Sequence, residues 1–427
     1  MEAGRAARSA PELMAVVSVS IESIAAGGDG VGRKEGLVVF VPRTAPGDLV
    51  TAQISGRGHF ARGSLCSIVT PSPVRIDPPC PHYARDKCGG CQLQHMTYDS
   101  QLAAKQMIIR DSLQRIGKRS IDPPEIERSP KEWRYRTKLT LAMRRRGARW
   151  IAGLHPYDDP VRVFPLSDCP ITDRRVVSAW REVMEADAYF PDATELRGSV
   201  RITSGGPTLV MMGGQSWAAR DQFSAAVPSV SAVWWEPGDD KPRRLLYDKR
   251  ADRTPSASFA QVNAEMAEIL GRYVLERARE LRPRTAVDAY AGAGETATLL
   301  SEEGIAVTAI ELDPDASEWS SSILRPPSRS VQGRVEDILP DALPADLVIL
   351  NPPRAGVDER VTQTLEANAS DIRGLIYVSC NPATLARDLA RLPSYGIEAV
   401  RAFDMFPQTA HVETVCELRP LTRETAA

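Results

Sequence analysis

The stretch Val287-Asp288-Ala289-Tyr290-Ala291-Gly292-Ala293-Gly294 decides the fold class of this chain. It begins as a short apolar strand, and its glycines let the backbone turn tightly and approach a ligand closely. A second apolar run, residues 306–310, ends at Glu311, which stands 23 residues after the aspartate of the first stretch. An acidic residue at about that offset can accept hydrogen bonds from both hydroxyls of a ribose. We therefore predict that Gly292, Gly294 and Glu311 bind the nucleoside part of a cofactor.

Apolar runs recur through the last part of the chain, at residues 286–290, 306–310, 346–350 and 375–379, and helix-like segments separate them. Short apolar runs that alternate with helices are typical of a parallel sheet covered on both faces. We predict a doubly wound, Rossmann-like α/β domain over residues 254–427. Ligands of such sheets bind beyond the carboxyl ends of the strands.

Two polar motifs stand at predicted strand ends. Asn351-Pro352-Pro353-Arg354 follows the run 346–350, and Cys380 follows the run 375–379. A cysteine outside a disulfide is usually a small buried hydrophobe, and we interpret Cys66 and Cys416 in that way. Cys380 differs because its strand end faces the same crevice as the glycine loop, so we predict a reactive thiol there.

The first segment, residues 14–71, predicts a small all-β domain. Val17, Val19 and Ile21 alternate with polar residues, which is the period of a half-buried strand. Glycine-rich turns separate this strand from apolar runs at 37–41 and 49–54, a pattern that favours an OB-like β-barrel. Such barrels bind RNA through strand faces and loops. The alternative is a barrel that only braces the rest of the protein.

Seven cysteines occur in the chain, and three of them lie within twelve residues, in the pattern Cys80-x7-Cys88-Gly89-Gly90-Cys91. Together with Cys169 they offer four thiolates, a set that suits either tetrahedral zinc or an iron–sulfur cluster. The spacing does not decide between the two. We predict that residues 72–253 form a small central α+β domain that carries this site.

Composition sets broad limits. With 427 residues, 43% hydrophobic and 25% charged, the chain is long enough for two or three globular domains. It has no apolar run of about eighteen residues, and the basic tail 1–10 precedes no apolar segment, so we expect a cytoplasmic protein without a membrane span. The net charge of −2 means that any nucleic-acid footprint must be local. One basic group comprises Arg134, Arg136, Lys138, Arg144, Arg145, Arg146 and Arg149, and a second comprises Lys241, Arg243, Arg244, Lys249 and Arg250.

Longer motifs make the chain resemble the RNA uridine-5-methyltransferase family over nearly its whole length. The motifs are Ser258-Phe259-Ala260-Gln261-Val262-Asn263, Gly292-x-Gly294, Val378-Ser379-Cys380-Asn381-Pro382-Ala383-Thr384-Leu385-Ala386-Arg387-Asp388 and Asp404-Met405-Phe406-Pro407-x-Thr409-x-His411-x-Glu413. The first segment resembles a TRAM domain, an RNA-binding module. The cysteine pattern resembles the 4Fe-4S motif of the family, with zinc as the alternative.

The resemblance implies S-adenosyl-L-methionine as methyl donor and RNA as substrate, with Gln261, Tyr290, Glu311 and Asn351 lining the cofactor site. It implies Cys380 as nucleophile and Glu413 as base. The chemistry fits, because C5 of uracil is a poor nucleophile until a thiolate adds to C6. The adduct must then lose its C5 proton to a base before the thiol can leave.

The chain departs from the family pattern at several places, among them Glu295 and Arg334, where we expect uncharged or acidic polar groups near the cofactor. Asn351 stands where the family usually has aspartate, so it can hydrogen-bond the uracil edge but carries no charge. Ala291 replaces a common cysteine, and seven residues rather than five separate Cys80 from Cys88. The TRAM and cysteine motifs favour 23S ribosomal RNA over transfer RNA as the substrate. We expect a monomer without an obligate protein partner.

Two other functions compete with uridine methylation. An amino-group RNA methyltransferase uses an Asn-Pro-Pro-aromatic loop, but Arg354 supplies no aromatic ring and that chemistry needs no Cys380. An RNA-binding iron–sulfur protein without activity is the second alternative, and the presence of both Cys380 and Glu413 argues against it.

Overall fold

The computed structural model describes residues 13–57, 59–238, 241–251, 255, 257–258 and 260–421. The predicted tail 1–10, the predicted boundary between residues 253 and 254, and Phe259 lie outside these residues. The chain divides into two compact units. The first contains the chain up to Pro79, Cys91–Ile108 and Gln408–His411, and the second contains Cys80–Gly90, Ile109–Pro407 and the chain from Val412.

A closed five-stranded barrel makes up most of the first unit, with strand order β1-β2-β3-β5-β4. Its strands are β1 (Leu13–Ile24), β2 (Gly30–Lys34), β3 (Leu37–Val41), β4 (Leu49–Arg57) and β5 (Phe60–Thr70). Alternate side chains of these strands fill the interior, among them Val19, Ile21, Val39 and Val50. The closed barrel confirms the all-β prediction for the start of the chain.

A second small core in the first unit surrounds the helix that follows the barrel. Two helices come next in the chain, α1 (Pro81–Arg85) and α2 (Tyr98–Arg115). Ala104 and Ile108 of α2 pack with Leu93, Met96 and Ala410. This core fixes the segment 408–411 within the first unit.

A seven-stranded sheet begins the larger unit after the short strand β6 (Glu125–Glu127), with strand order β13-β12-β11-β10-β7-β8-β9. Its strands are β7 (Lys138–Arg146), β8 (Arg149–Leu154), β9 (Phe164–Pro165), β10 (Glu195–Thr203), β11 (Gly206–Met212), β12 (Ala232–Glu236) and β13 (Arg244–Asp248). Helices α3 (Arg174–Glu185) and α4 (Arg220–Ala226) belong to this region. Trp180 of α3 packs over Gly198, where an added Cβ would lie 2.5 Å from the indole ring. One face of the sheet is therefore covered by α3.

An eight-stranded sheet completes the larger unit, with strand order β16-β15-β14-β17-β18-β20-β19-β6. Its other strands are β14 (Thr285–Ala289), β15 (Ala306–Glu311), β16 (Arg329–Gln332), β17 (Leu347–Leu350), β18 (Gly374–Ser379), β19 (Tyr395–Phe403) and β20 (Glu413–Pro420). Its helices are α5 (Ala264–Glu280), α6 (Glu295–Glu302), α7 (Pro314–Ile323), α8 (Val335–Ala342), α9 (Glu359–Ala367) and α10 (Pro382–Ala390). Five strands run parallel, and β20 joins β18 antiparallel.

The buried side chains of this sheet alternate between two cores. Val287 and Ala289 of β14 enter one core, whereas Ala286 enters the other. Helices therefore cover both faces, as the prediction of a doubly wound α/β domain requires. No helix within the described residues is long and apolar enough to cross a membrane.

Candidate active site

Strand register brings Cys380 and Glu413 together although 33 positions separate them in the chain. Ser379, the last residue of β18, pairs with Thr414 of the antiparallel strand β20. The next step along the two strands therefore places Cys380 opposite Glu413. Both side chains stand at the sheet edge where the parallel strands end.

Electrostatics confirm that the two side chains are close. Burial raises the pKa of the Cys380 thiol, and the Glu413 carboxylate raises it further. The Arg354 guanidinium opposes both effects and lowers the pKa of the thiol. A thiol needs such a cation to form a thiolate in a partly buried place.

Glu413 is a buried carboxyl group, only 2% exposed. Burial raises the pKa of Glu413 to about 8, while Arg354 opposes the rise. Its Oε2 atom has no hydrogen-bond partner among the described residues. A buried acid with a raised pKa and an open oxygen can accept a proton from a ligand near neutral pH.

Arg354 is a residue whose role we did not predict from the sequence, where its lack of an aromatic ring was the only feature considered. It follows β17, which pairs in parallel with β18. Its carbonyl oxygen accepts a hydrogen bond from Asn381 Nδ2 at 3.3 Å. The signal available in the sequence was a cation four residues after one strand end, beside a neighbouring strand that is followed by a cysteine.

A buried ion pair holds the loop that carries Arg354. Asp388 is fully buried, and its Oδ2 accepts the Val357 amide at 3.0 Å. Its Oδ1 accepts from Arg387 Nε at 2.9 Å and Nη2 at 2.7 Å. Arg387 Nη2 in turn donates to the Ala355 carbonyl at 2.8 Å. The loop therefore has a fixed path next to the Cys380 thiol.

The glycine loop and Glu311 meet at the ends of β14 and β15. Gly292 N–H donates to Glu311 Oε2 at 2.8 Å, and Asp313 N–H donates to Glu311 Oε1 at 2.8 Å. Gly294 has a φ of +82° and caps α6, and a side chain there would lie 2.3 Å from Ser320 Oγ. At Gly292 an added Cβ would meet no described atom within 4 Å apart from those of its chain neighbours, so space for a ligand is open beside it.

The other predicted cofactor residues occupy different environments. Asn351 follows β17 and is exposed. Its backbone N–H donates to the Ala289 carbonyl at 3.2 Å, next to the glycine loop. Tyr290 has a φ of +64° and packs partly into the core, where burial raises the pKa of its phenol. Gln261 is half-buried and lies two residues before Asn263, the N-cap of α5.

The four predicted cysteine ligands are all buried, with none more than 9% exposed. Burial raises the pKa of the Cys169 thiol, and the neighbouring Cys80 adds to the rise. The Gly90 amide donates to Cys88 Sγ at 3.4 Å. However, the described part of the chain contains no group of three or more His, Cys, Asp or Glu side chains placed to hold a metal ion. The structure therefore lends no support to a cluster at Cys80, Cys88, Cys91 and Cys169, which stays a prediction.

Comparisons with known proteins identify two matching domain profiles and several relatives of similar length. The tRNA (uracil-5-)-methyltransferase family profile matches residues 315–419, and the TRAM domain profile matches residues 13–65. An uncharacterized RNA methyltransferase of Protochlamydia amoebophila is 31% identical over 94% of this chain and 97% of its own length. Another, of Gloeobacter violaceus, is 34% identical over 94% of this chain and 96% of its own length.

A solved structure shares the fold. It is the Pyrococcus abyssi tRNA (uracil-54, C5)-methyltransferase in complex with S-adenosyl-L-homocysteine, with a TM-score of 0.69 and 22% identity. The likeness covers 94% of this chain and 99% of that one. Together with the identity to full-length relatives, these matches show that the chain belongs to the RNA (uracil-5-)-methyltransferase family.

Proposed function

We propose that the protein methylates C5 of a uridine in RNA, with Cys380 as nucleophile and Glu413 as base. One observation carries the proposal: a partly buried thiol, a buried carboxyl group and a guanidinium converge at the carboxyl edge of the parallel sheet. A methyl transfer to an exocyclic amine needs neither the thiol nor a base beside it. The arrangement therefore favours attack on a pyrimidine ring carbon.

Cys380, Glu413 and Arg354 each act at a different step of the proposed reaction. The Cys380 thiolate adds to C6 of uracil, and the C5–C6 π pair moves onto the C5–C4–O4 system. S-adenosyl-L-methionine, when bound, would supply an electrophilic methyl group to C5, and its S–CH3 bond would break to leave the neutral thioether S-adenosyl-L-homocysteine. Glu413 then takes the C5 proton, the C5–C6 double bond re-forms, and Cys380 leaves as thiolate. Arg354 stabilises the thiolate at the start and at the end.

The glycine loop fits the proposed methyl donor. Glu311 already accepts two backbone amides, yet each carboxylate oxygen has a second lone pair for a ribose hydroxyl. Gly292 leaves open space beside that carboxylate. We propose that Gly292, Gly294 and Glu311 hold the nucleoside, and that Gln261, Tyr290 and Asn351 complete the site.

The RNA substrate is the finer part of the proposal. The cysteine and TRAM motifs led us to expect 23S ribosomal RNA. The Pyrococcus abyssi structure is that of an enzyme named for transfer RNA, and its likeness covers 94% of this chain. Domain content alone therefore does not separate the two substrates, and we propose ribosomal RNA with transfer RNA as the alternative.

Purified protein incubated with methyl-labelled S-adenosyl-L-methionine is expected to produce labelled 5-methyluridine in unmodified 23S ribosomal RNA. Nucleoside digestion and mass spectrometry identify the product, and an unmodified transfer RNA pool tests the alternative in parallel. Label in transfer RNA alone would reassign the substrate. Label in a methylated amine, or no 5-methyluridine in either RNA, would contradict the proposed reaction.

We propose further that Cys80, Cys88, Cys91 and Cys169 bind a structural 4Fe-4S cluster, with zinc as the alternative. The proposal rests on the sequence pattern and on the chemistry of four thiolates, which suits either group. No step of the reaction passes through this group.

Protein purified without oxygen is expected to contain about four iron atoms per chain and to absorb visible light. Cys88→Ser is expected to lose most of this iron, whereas Cys66→Ser is expected to keep it. The thiol of Cys66 is exposed, so our prediction of a buried cysteine at this position was wrong. Elemental analysis for iron and zinc measures both. Zinc in place of iron would select the alternative, and the absence of both metals from the wild type would refute a metal site.

A further inference from the structure

Within the described residues, five of the twelve cations in the two basic groups have acidic partners. In the first group Arg134 pairs with Asp168, at 2.7 Å. In the second group Arg243 pairs with Asp315, at 2.9 Å. The other ion pairs of the two groups are Arg144–Glu195, Arg149–Asp187 and Arg250–Asp248. These side chains are neutralised within the protein and need no external anion.

Two cations of the first group without such a partner, Arg136 and Lys138, stand close to Arg197 and Arg201, which belong to neither group. We name these four the cation cluster. No carboxylate among the described residues forms an ion pair with any of them. Lys138 of β7 lies opposite Arg201 of β10 in the antiparallel register. Like charges opposite each other on neighbouring strands are destabilising, so an anion at this place would relieve the repulsion.

Burial makes the repulsion stronger than at an open surface. Arg201 is only 8% exposed, and its one hydrogen bond described here goes to the Ser258 carbonyl. Burial and, to a smaller extent, the nearby Arg201, Arg136 and Arg197 together lower the pKa of Lys138 to about 8. Arg136, Arg197 and Arg201 are thus close enough to Lys138 to form one positively charged region with it.

The cation cluster stands on the sheet face away from α3. Leu139 and Gly198 face α3, and strand alternation turns Lys138, Arg197 and Arg201 to the other side. Arg197 and Arg201 are four residues apart on one extended strand, roughly 13 Å. This length spans more than one phosphate of an extended nucleic-acid strand.

A short chain of contacts connects the cation cluster with the proposed cofactor site. Arg201 donates to the Ser258 carbonyl, and Ser258 Oγ donates to Asp313 Oδ1 at 3.1 Å. The Asp313 amide donates to Glu311 at 2.8 Å. Thr137, between Arg136 and Lys138, donates its amide to Val262 at 2.7 Å. The cluster therefore borders the segment that leads into the methyltransferase sheet.

We propose that the cation cluster binds consecutive phosphates of the RNA strand next to the target uridine. This inference rests on the proposed function. The positive charge of the cation cluster is complementary to the negative charge of an RNA backbone, which identifies RNA as the ligand. A strand held by its phosphates at this place keeps its register while one base leaves the stack to reach Cys380. All four cations of the cluster belong to the larger unit.

The test uses the full-length double variant Lys138→Gln/Arg197→Gln and a fluorescent single-stranded RNA. Anisotropy is measured over a series of salt concentrations. Each lost phosphate contact reduces the slope of log affinity against log salt by about 0.7, so we expect a reduction of about 1.4. At moderate salt the affinity is expected to fall on the order of tenfold. Arg197→Gln alone, at an exposed side chain, is expected to give half of the slope change.

Arg174→Gln/Arg181→Gln is the matched control, because it removes the same charge from α3, on the covered side of the sheet. The control is expected to leave the slope unchanged, and calorimetry is expected to show unchanged S-adenosyl-L-methionine binding in all variants. An equal slope change in the control would overturn the proposal. Loss of cofactor binding would assign the cluster to the cofactor instead. The anisotropy experiment measures RNA binding and does not require methylation. If the wild type proves inactive but the salt slopes are as expected, the proposed function is refuted and the proposed RNA contact is not.

Discussion

Cys380→Ala is expected to abolish formation of 5-methyluridine, with a fall in turnover of about 10⁴-fold or more. Without the thiolate, C5 of uracil has no enolate character and does not attack a methyl group. The binding of S-adenosyl-L-methionine and of RNA is expected to change little, because Cys380 lies at the end of β18 and caps no helix. Turnover with labelled methyl donor measures the loss of activity, and the dissociation constants for S-adenosyl-L-methionine and RNA show whether binding is retained.

A substrate that contains 5-fluorouridine gives a second readout of the same step. Fluorine at C5 cannot leave as a cation, so the adduct with Cys380 persists after methyl transfer. The wild type is therefore expected to form a protein–RNA species that survives denaturing electrophoresis, and Cys380→Ala is expected to form none. Cys416→Ala is the control, since it changes a buried cysteine of β20. Persistent adduct in the alanine variant would exclude Cys380 as the nucleophile.

The position of Cys380 was predictable because it depends on short-range patterns. An apolar run that ends at Ser379 reads as a buried strand, and the carboxyl ends of parallel strands share one edge. The glycine loop and Glu311 follow from the same rule. The predicted strands at 306–310 and 375–379 correspond to β15 and β18.

Glu413 was harder to place, since its position depends on a long-range pairing. Its proximity to Cys380 requires β20 to insert antiparallel between β18 and β19. No local pattern specifies that register, and the choice of Glu413 rested on a motif. The pKa of Glu413 was equally inaccessible, because it depends on burial by residues from distant parts of the chain.

The basic groups show why charge counted along a sequence is a poor guide to a surface. Arg144 and Arg243 belonged to the two groups and proved to be paired with acids. Arg197 and Arg201 belonged to neither group, because uncharged residues of β10 stand between them in the sequence. They join Lys138 only through the pairing of β7 with β10.

Glu413→Gln is expected to arrest the reaction after methyl transfer, since the C5 proton then has no base to accept it. Release of product is expected to slow by about 10²- to 10⁴-fold. The adduct itself is expected to form at least as fast as in the wild type, because a neutral side chain no longer raises the pKa of Cys380. Methyl label is therefore expected to accumulate in a protein–RNA species that survives denaturation, with ordinary uridine as substrate.

The pH dependence separates a base from a merely structural residue. Glu413 must be ionised to accept a proton, and its pKa of about 8 means that product release by the wild type rises with pH up to about that value. The glutamine variant is expected to lose this dependence. Glu417→Gln, at a second buried carboxyl group of β20 that accepts a hydrogen bond from Tyr273 at 2.7 Å, is the control and is expected to retain it.

The thermal stability of Glu413→Gln shows whether the arrested reaction results from a folding defect. Because burial raises the pKa of Glu413 from 4.5 to about 8, its protonated form stabilises the fold fully below about pH 4.5. This stabilisation is lost as the pH rises towards 8, where the carboxyl group ionises inside the protein. Glutamine never ionises, so the Tm of Glu413→Gln at alkaline pH is expected to equal or exceed that of the wild type. A variant with a normal Tm that releases product at the wild-type rate would show that another group removes the C5 proton.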